Sequence, residues 1–331
     1  GRGALGWAPG RGTEGLLSAR VPSEIVWPEG KRFAFSIFDD TDLETVANGP
    51  GIYAFLSGLG MRVTKSVWVL PPTGAALHGG ASCADPDYLA WVLELQRAGH
   101  EIALHNVAAS TSRREQTLAG LDRFRELFGH DPRTLANHVG NLEAIYHGEQ
   151  RVSGPRRAIY NVLTRGRRRR LFEGHVPGSP LFWGDLCAER VSYVRNFVYR
   201  NVDTLAACPH MPYRDPAKPY VAAWFAASEG ANPASFVRTL ADAQLDRLEA
   251  GGGLCIMYTH LGAGFWRDGA LDPEFERVMT GLAARAGWFA PVAEILDHLR
   301  RVKGVTDLGA SERRELEWRW LGDKVRARST S

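Results

Sequence analysis

Carboxylates and histidines stand at the ends of several apolar segments of this 331-residue chain. The segment FAFSIF stops at Asp39 and Asp40, and the segment HEIALH ends at His105. The segment TLANH ends at His138, and LCIMYT is followed directly by His260. Carboxylates and imidazoles are side chains that bind divalent metals and transfer protons near neutral pH. Together these residues predict a hydrolytic site built around a divalent metal.

The apolar segments alternate with segments of helical periodicity, which predicts a parallel α/β fold. Strands are expected at residues 33–38, 63–70, 100–105, 134–138, 191–197, 220–224 and 254–259. Helices are expected at residues 43–60, 86–98, 112–128, 235–250, 273–286 and 292–301. Reactive groups of parallel α/β folds lie at the carboxyl ends of the strands, so the five residues should meet at one rim. Both aspartates at the end of the first strand are expected to reach one pocket.

Composition narrows the possible classes of protein. With 44% hydrophobic and 23% charged residues, the chain is typical of a globular protein and not of a disordered or fibrous one. The net charge is only +3, and the single basic run RGRRRR has no second basic stripe beside it, so nucleic-acid binding is not expected. No CxxC pair occurs, which argues against a cysteine zinc site. No apolar run reaches the roughly 18 residues that span a bilayer, and no signal segment is visible, so a cytoplasmic location is expected.

The chain is expected to form one domain with two appendages. An irregular arm at residues 1–30 precedes a barrel at residues 31–305, and an amphipathic tail follows at residues 306–331. A long, loop-rich insertion at about residues 141–233 would cap one face and form the substrate pocket. The histidines of this insertion have no spacing partner and are interpreted as loop residues: His147, His175 and His210.

Candidate substrate-binding residues lie in and beside the insertion. Tryptophan can stack on sugar faces, and amides, carboxylates and guanidinium groups can bind hydroxyls; the candidates are Asn137, Trp183, Asp185, Arg195 and Asn196. The alternative is that Trp183 and Trp224 belong to the core and that Arg195 pairs with an acidic neighbour. The sequence does not distinguish these two interpretations.

Three segments resemble the motifs of a known family. FSIFDDTD resembles the first motif, Thr-Phe-Asp-Asp-Gly, of the polysaccharide deacetylases, the NodB-homology group also called carbohydrate esterase family 4. GHEIALHN, residues 99–106, resembles the second motif, and IMYTHLG, residues 256–262, resembles the last. The resemblance covers roughly residues 32–138 and 251–301. It implies a distorted (β/α)₇ barrel and a hydrolase that removes an acetyl group from a sugar or glycan precursor.

The resemblance also implies a role for each motif residue. Asp39 would be the general base, Asp40 and His105 would ligate the metal, and His260 would be the general acid. Zinc is the expected metal. It would polarise the acyl carbonyl and acidify a water molecule, while the base and the acid transfer protons.

The sequence departs from the family pattern at three places. Ala109 stands where the second motif has another ligand histidine, and Thr41 replaces the glycine of the first motif. The third motif, which normally carries an arginine, is replaced by ANHVGN. One interpretation is a rebuilt site, in which His138 joins Asp40 and His105 as the third ligand. In that site Arg195 would orient Asp39.

Two other interpretations stay open at this point. The barrel could bind carbohydrate without hydrolysing it, or it could hydrolyse a different C–N bond, such as that of a cyclic amide. We favour the rebuilt site because candidates for both the base and the acid are present. Asp42 is a further candidate ligand, although Thr41 or Asp42 capping the helix that follows is the simpler interpretation. The sequence makes no prediction of the oligomeric state.

Overall fold

Seven parallel strands close into a barrel in the computed structural model, which describes residues 25–327. The strands are β1 (Phe33–Asp39), β2 (Thr64–Val67), β3 (Glu101–Leu104), β4 (Thr134–Leu135), β5 (Tyr193–Tyr199), β6 (Trp224–Glu229) and β7 (Leu254–Thr259). Each strand pairs with the next in parallel, and β7 pairs with β1 and closes the ring. The sequence-based prediction of a seven-stranded (β/α) barrel is therefore confirmed.

Helices surround the barrel. They are α1 (Gly49–Gly58), α2 (Pro86–Arg97), α3 (Arg114–Phe128), α4 (Gly154–Leu163), α5 (Gly184–Arg190), α6 (Thr204–Ala207), α7 (Pro233–Thr239), α8 (Asp242–Ala250), α9 (Pro273–Ala283), α10 (Val292–Lys303) and α11 (Ala310–Ala327). Their ends follow local sequence. The Asp85 side chain accepts backbone N–H groups at the start of α2, and Gly129, with a φ of 80°, ends α3. No helix within residues 25–327 has the length and hydrophobicity needed to cross a membrane.

The structure corrects the predicted limits of three elements. The helix expected from residue 43 begins at Gly49, because Pro50 fits the first turn of a helix, where no N–H partner is needed. Asn48 therefore precedes the helix, and neither Thr41 nor Asp42 caps it. The strand predicted at residues 220–224 instead begins at Trp224. The single helix predicted at residues 235–250 is divided into α7 and α8.

Burial explains why the barrel strands read as continuous apolar runs. All seven residues of β1 are buried, because the barrel interior covers one face of a parallel strand and helices cover the other. The same is true of all seven residues of β5. Between β5 and β6, the pairing register shifts between Arg195 and Val198, which marks a β-bulge in β5.

The C-terminal helix α11 packs against α4 and β5. The carboxylate of Glu317, on α11, binds the guanidinium of Arg156, on α4, and the hydroxyl of Tyr199 donates to the Leu316 carbonyl at 3.2 Å. The rings of Tyr160 and Trp320 stack at 5.6 Å. The tail is thus part of the core beneath the segment that follows β4.

Candidate metal centre

The strand register brings the predicted reactive residues to one rim of the barrel. Asp39 is paired with Thr259, so Asp40 and His260 follow two neighbouring strands, and the Asp40 N–H donates to the Thr259 carbonyl at 2.8 Å. His105 follows β3 and His138 lies just beyond β4, the next strand in the ring. The side chains of Asp40, His105, His138 and His260 line a cavity of about 230 Å³. The other residues of its wall are Asp42, His78, Asn137, Val139, His147, Arg151, Arg195, Val198, Ala231 and Tyr258.

Two groups of side chains in this cavity bring metal-competent atoms within 4.8 Å of one another: Asp42, His105 and His138, and Asp40, Asp42 and His260. In the first group, Asp42 lies between two histidines. The Oδ2 atom of Asp42 lies 3.1 Å from Nε2 of His105, and its Oδ1 atom lies 3.0 Å from Nε2 of His138. All three side chains are buried. Two histidines and one carboxylate are a common ligand set for zinc, so the arrangement could hold a divalent ion.

The second nitrogen of each histidine is held by a hydrogen-bond acceptor. Nδ1 of His105 lies 3.0 Å from the Ala136 carbonyl, and Nδ1 of His138 lies 2.7 Å from Oδ1 of Asn141. The Asn141 amide nitrogen donates to the Ala108 carbonyl, which leaves its oxygen facing His138. Both imidazoles therefore carry their proton on Nδ1 when neutral. Their Nε2 lone pairs face Asp42, as in histidines that ligate metals.

An ion between these three residues would account for contacts that are otherwise unfavourable. With neutral histidines, two nitrogen lone pairs face a carboxylate in a buried space, and no proton lies between them. Oδ1 of Asp42 and Nε2 of His138 have no hydrogen-bond partner among the described residues, although they lie only 3.0 Å apart. Burial acts to raise the pKa of Asp42, but hydrogen bonds and positive charge from His105 and His138 in their protonated forms hold it well below the usual range, and Asp42 in turn raises the pKa of His138. A bound cation would take the place of those protons. The three residues fit a divalent metal.

Asp40 is held by an arginine instead of by the histidines. Its two oxygens accept hydrogen bonds from the Arg195 guanidinium at 2.8 and 2.6 Å, and both side chains are buried. The guanidinium lies between the rings of Phe38 and Tyr258, at 5.0 and 4.5 Å from their centres. Burial acts to raise the pKa of Asp40, but the charge and hydrogen bonds of Arg195, together with the charges of His105 and His260, lower it below its usual value. Asp40 is therefore an ionised carboxylate fixed in one orientation.

His260 has 22% of its side chain exposed, which makes it more accessible than Asp40, Asp42, His105 and His138. Its Nδ1 lies 3.0 Å from the Ala231 carbonyl, an acceptor, so Nδ1 carries a proton. Its Nε2 lies 3.2 Å from the Tyr258 hydroxyl and 3.5 Å from Oδ2 of Asp42. The second nitrogen of His260 is thus positioned beside the candidate metal site.

Asp39 lies outside the cavity, in a separate buried cluster behind β1. Its Oδ1 accepts the Leu261 N–H at 2.9 Å, and its Oδ2 accepts the Tyr53 hydroxyl at 2.9 Å. The Lys65 ammonium lies 3.6 Å from Oδ2 and forms an ion pair with Glu44. Burial acts to lower the pKa of Lys65, but Glu44, Tyr88 and Asp39 together raise it, so Lys65 is a cation, while burial beside Asp39 raises the pKa of Glu44. The two aspartates thus point to opposite sides of the strand, and they do not share one pocket.

The remaining predicted substrate-binding residues are divided. Asn137 and Arg195 line the cavity. Trp183 is buried and donates from Nε1 to the Glu143 carbonyl at 2.7 Å, and Asn196 donates to the Tyr213 hydroxyl at 3.1 Å. The exposed carboxylate of Asp185 accepts two hydrogen bonds from Arg114. The structure places these last three side chains outside the cavity.

Sequence reasoning gave too little weight to three cavity residues. Pro50, which fits only the first turn of a helix, was a signal in the sequence that Asp42 lies too early to cap α1. His147, interpreted as a loop histidine, lines the cavity, and Arg151 lines it too. No spacing pattern marked either of them, because the loop after β4 brings them to the rim.

Comparison with known proteins adds evidence on the fold. No family model and no curated protein matches the sequence. Among solved structures, a probable polysaccharide deacetylase from Pseudomonas aeruginosa PAO1 is 15% identical with a TM-score of 0.50, and the match covers 86% of this chain and 96% of that one. A protein assigned to the polysaccharide deacetylases from Mycobacterium smegmatis is 13% identical over 87% of this chain and 97% of its own, with a TM-score of 0.48.

A third similar structure is that of the PuuE allantoinase. It is 15% identical over 86% of this chain and 95% of its own, with a TM-score of 0.49. At this level of identity the likeness is one of fold. The fold of the barrel is that of the probable polysaccharide deacetylase from Pseudomonas aeruginosa PAO1.

Proposed function

We propose that the protein is a metal-dependent hydrolase that removes an acyl group, such as acetyl, from a sugar or glycan precursor. One observation carries the proposal: Asp42, His105 and His138 converge at the carboxyl ends of the barrel strands with lone pairs that need a cation. Asp40 and His260, which can transfer protons, line the same cavity. A metal with a base and an acid beside it is the equipment that hydrolysis of an amide or ester requires.

In this proposal Asp42, His105 and His138 hold the metal. Asp42 takes the place that the sequence assigned to Asp40, because its oxygens lie 3.1 and 3.0 Å from the Nε2 atoms of His105 and His138. His138 takes the role of the second-motif histidine, at whose position this chain has Ala109. The bound metal, for which zinc suits the ligand set, would supply polarisation of the acyl carbonyl and acidification of a water molecule.

Asp40 is the proposed general base. Its lowered pKa keeps it ionised at neutral pH, since Arg195 stabilises the charged form against burial. Arg195 also fixes the plane of the carboxylate through two hydrogen bonds, so one geometry is presented to the water that loses its proton. The sequence assigned this pair of roles to Asp39 and Arg195; the proposal moves the base by one residue.

His260 is the proposed general acid. The hydrogen bond from Nδ1 to the Ala231 carbonyl fixes the ring, and Nε2 is left on the side of Asp42. From there a protonated His260 can give its proton to the departing nitrogen or oxygen. The Tyr258 hydroxyl, 3.2 Å from the same nitrogen, helps to orient it.

The size of the cavity supports a small substrate. Its volume of about 230 Å³ lies below the roughly 300–1,000 Å³ that is usual for sites of drug-sized ligands. Val139 and Val198 provide the apolar part of the wall. One acylated sugar residue suits such a cavity better than several consecutive residues of a polymer.

The test is release of acetate by zinc-loaded protein from a panel of N- and O-acetylated monosaccharides. We expect turnover that a chelator abolishes and that added zinc restores. Asp42→Asn should remove both bound zinc and turnover, whereas Asp185→Asn, which changes an exposed carboxylate outside the cavity, should change neither. Binding of the sugars without any acetate release would favour a non-catalytic carbohydrate-binding barrel. Hydrolysis of a cyclic amide such as hydantoin, in place of the sugars, would identify a different C–N substrate.

A further inference from the structure

Part of the cavity wall is basic and is not used by the proposed mechanism. Arg151 and His147 both line the cavity that holds the candidate metal centre. They lie in the loop that follows β4, with His147 immediately before a short 3₁₀ helix, Gly148–Arg151. Their side chains are buried, at 8% and 3% exposure. A guanidinium and an imidazole buried to this extent have lost their contacts with water, and a partner must compensate that loss.

Arg151 has no acidic partner within residues 25–327. Its guanidinium donates to Nδ1 of His147 at 3.0 Å and lies over the Trp320 ring at 5.6 Å. The other arginine of the cavity, Arg195, is neutralised by Asp40. Burial without a carboxylate lowers the pKa of Arg151 to about 10, which still leaves it charged at neutral pH. A buried guanidinium without a counter-ion is costly, so a bound anion would stabilise it.

His147 supplies a second donor beside the guanidinium. Because Arg151 can only donate, Nδ1 of His147 accepts, and the proton of the neutral ring is on Nε2. Nε2 is buried and has no hydrogen-bond partner among the described residues. Burial, together with the charge of Arg151, lowers the pKa of His147 well below its usual value and keeps the ring neutral. Among the described residues, the pair thus has an N–H group without an acceptor and a positive charge without a counter-ion.

We propose that Arg151 and His147 form a carboxylate subsite and that the substrate is an acidic sugar, such as a uronic acid that carries the acyl group. This inference rests on the proposed function for the nature of the reaction. The planar guanidinium matches a carboxylate in shape and charge, and the imidazole N–H adds one further donor. A phosphate carries nearly two negative charges, which one arginine and one neutral histidine compensate less well.

The charges of the whole cavity agree with an anionic substrate. Two carboxylates, Asp40 and Asp42, and two guanidinium groups, Arg151 and Arg195, line it. These four charges cancel, so a bound divalent ion leaves the cavity with an excess of positive charge. An anionic substrate removes part of that excess, whereas a neutral sugar does not.

Binding measurements test the subsite without relying on catalysis. Zinc-loaded protein is titrated with D-glucuronate, with D-glucose as its neutral counterpart and with glucose 6-phosphate as the phosphate probe. We expect glucuronate to bind about 10- to 100-fold more tightly than glucose, as for a hydrogen bond to a charged group. Arg151→Gln should abolish this preference and Arg151→Lys should restore part of it, which separates loss of charge from loss of folding. Circular dichroism checks that each variant is folded.

A matched control removes a charge from the same region outside the cavity. Arg167 is exposed, and Arg167→Gln should keep the preference for glucuronate. Equal binding of glucuronate and glucose, binding of neither, or a preference that survives Arg151→Gln would overturn the subsite. Tighter binding of glucose 6-phosphate than of glucuronate would overturn the choice of carboxylate.

Turnover separates this inference from the proposed function. Acetate release is compared for N-acetylglucosamine and for the same sugar with a carboxylate at carbon 6. If the sugar with the carboxylate is hydrolysed faster than the neutral sugar, and Arg151→Gln loses this difference, both the subsite and the proposed function are supported. Hydrolysis of the neutral sugar at an equal or greater rate overturns the subsite and leaves the proposed function standing. Arg151-dependent binding of glucuronate without hydrolysis of either sugar supports the subsite and contradicts the proposed function.

Discussion

Two buried clusters of charge lie on opposite sides of the end of β1, and they meet the same physical requirement in different ways. The rear cluster comprises Asp39, Glu44, Tyr53 and Lys65, and its cation is the Lys65 side chain. The front cluster comprises Asp42, His105 and His138, whose histidines supply positive charge only when they are protonated. Buried carboxylates need compensating charge. The rear cluster has it in the Lys65 side chain, and in the proposed function the front cluster receives it from a bound metal ion.

The comparison predicts that similar substitutions will have different consequences on the two sides. A change in the rear cluster should lower the free energy of unfolding and leave metal binding in the folded protein intact. A change in the front cluster should remove the metal or the reaction and cost little stability. Asp39 and Asp42, only three positions apart, are therefore expected to behave as structural and functional residues, respectively.

The largest effect is expected for Asp42→Asn. Loss of one of three proposed ligands should weaken zinc binding on the order of 100-fold or more, since even groups that support a ligand contribute 10–100-fold. Zinc content after dialysis, measured by mass spectrometry, and acetate release should fall together. Asp39→Asn is the matched change in the rear cluster, and folded Asp39→Asn should keep its zinc. Equal zinc loss in both variants would contradict the division into two clusters.

Asp40→Asn should separate chemistry from metal binding. A general base contributes about 10²–10⁴-fold to the rate, so kcat should fall by that factor while zinc content stays at the wild-type level. The kcat of Arg195→Lys should lie between those of the wild-type protein and Asp40→Asn, because a lysine keeps the charge but cannot hold both oxygens of Asp40. If Asp40→Asn loses zinc as Asp42→Asn does, Asp40 is a ligand, as the sequence alone suggested.

Lys65→Met should show the cost of removing the cation of the rear cluster. It leaves Asp39 and Glu44 buried without their counter-ion, and breaking a buried ion pair typically costs about 3–5 kcal/mol. Urea denaturation measures the loss. Arg32→Met, which removes a side chain that is 60% exposed, should cost less than about 1 kcal/mol. A Lys65→Met protein with wild-type stability would show that this cluster does not need its cation.

The smallest effect is expected for Tyr53→Phe. It removes one hydrogen bond, from the Tyr53 hydroxyl to Asp39, and should cost about 1–2 kcal/mol, because the acceptor is a charged and buried carboxylate. Turnover of the folded protein should be unchanged within about twofold. The substitution lies outside the cavity and leaves the geometry of the site intact, so it should not alter the activation barrier of the reaction. A tenfold fall in kcat with normal stability would instead connect the rear cluster to the reaction.

The barrel could be predicted because its signals are local. Buried parallel strands read as apolar runs, helices are bounded by proline and glycine, and the order of the two types determines the topology. The rim positions of Asp40, His105, His138 and His260 followed from the rule that strand ends meet. These predictions required only the sequence of each segment and its place in the alternation.

The partners of those residues could not be predicted in the same way. Whether Asp40 or Asp42 faces the histidines depends on how the chain turns after β1, and the motif resemblance favoured Asp40. The pairing of Arg195 with Asp40 joins residues 155 positions apart in the chain. Arg151 and His147 reach the cavity through an irregular loop, which has no periodicity to read.

The bulge in β5 has a consequence for how side chains alternate along that strand. In an uninterrupted strand, residues separated by an odd number of positions face opposite sides, so Arg195 and Val198 would diverge. The extra residue at the register shift reverses the alternation, and both side chains line the cavity. The polarity of the pocket thus depends on a change of phase within one strand: if the same residues formed a regular strand without the extra one at the register shift, Val198 would face away from Arg195, although every residue that carries the chemistry would be unchanged.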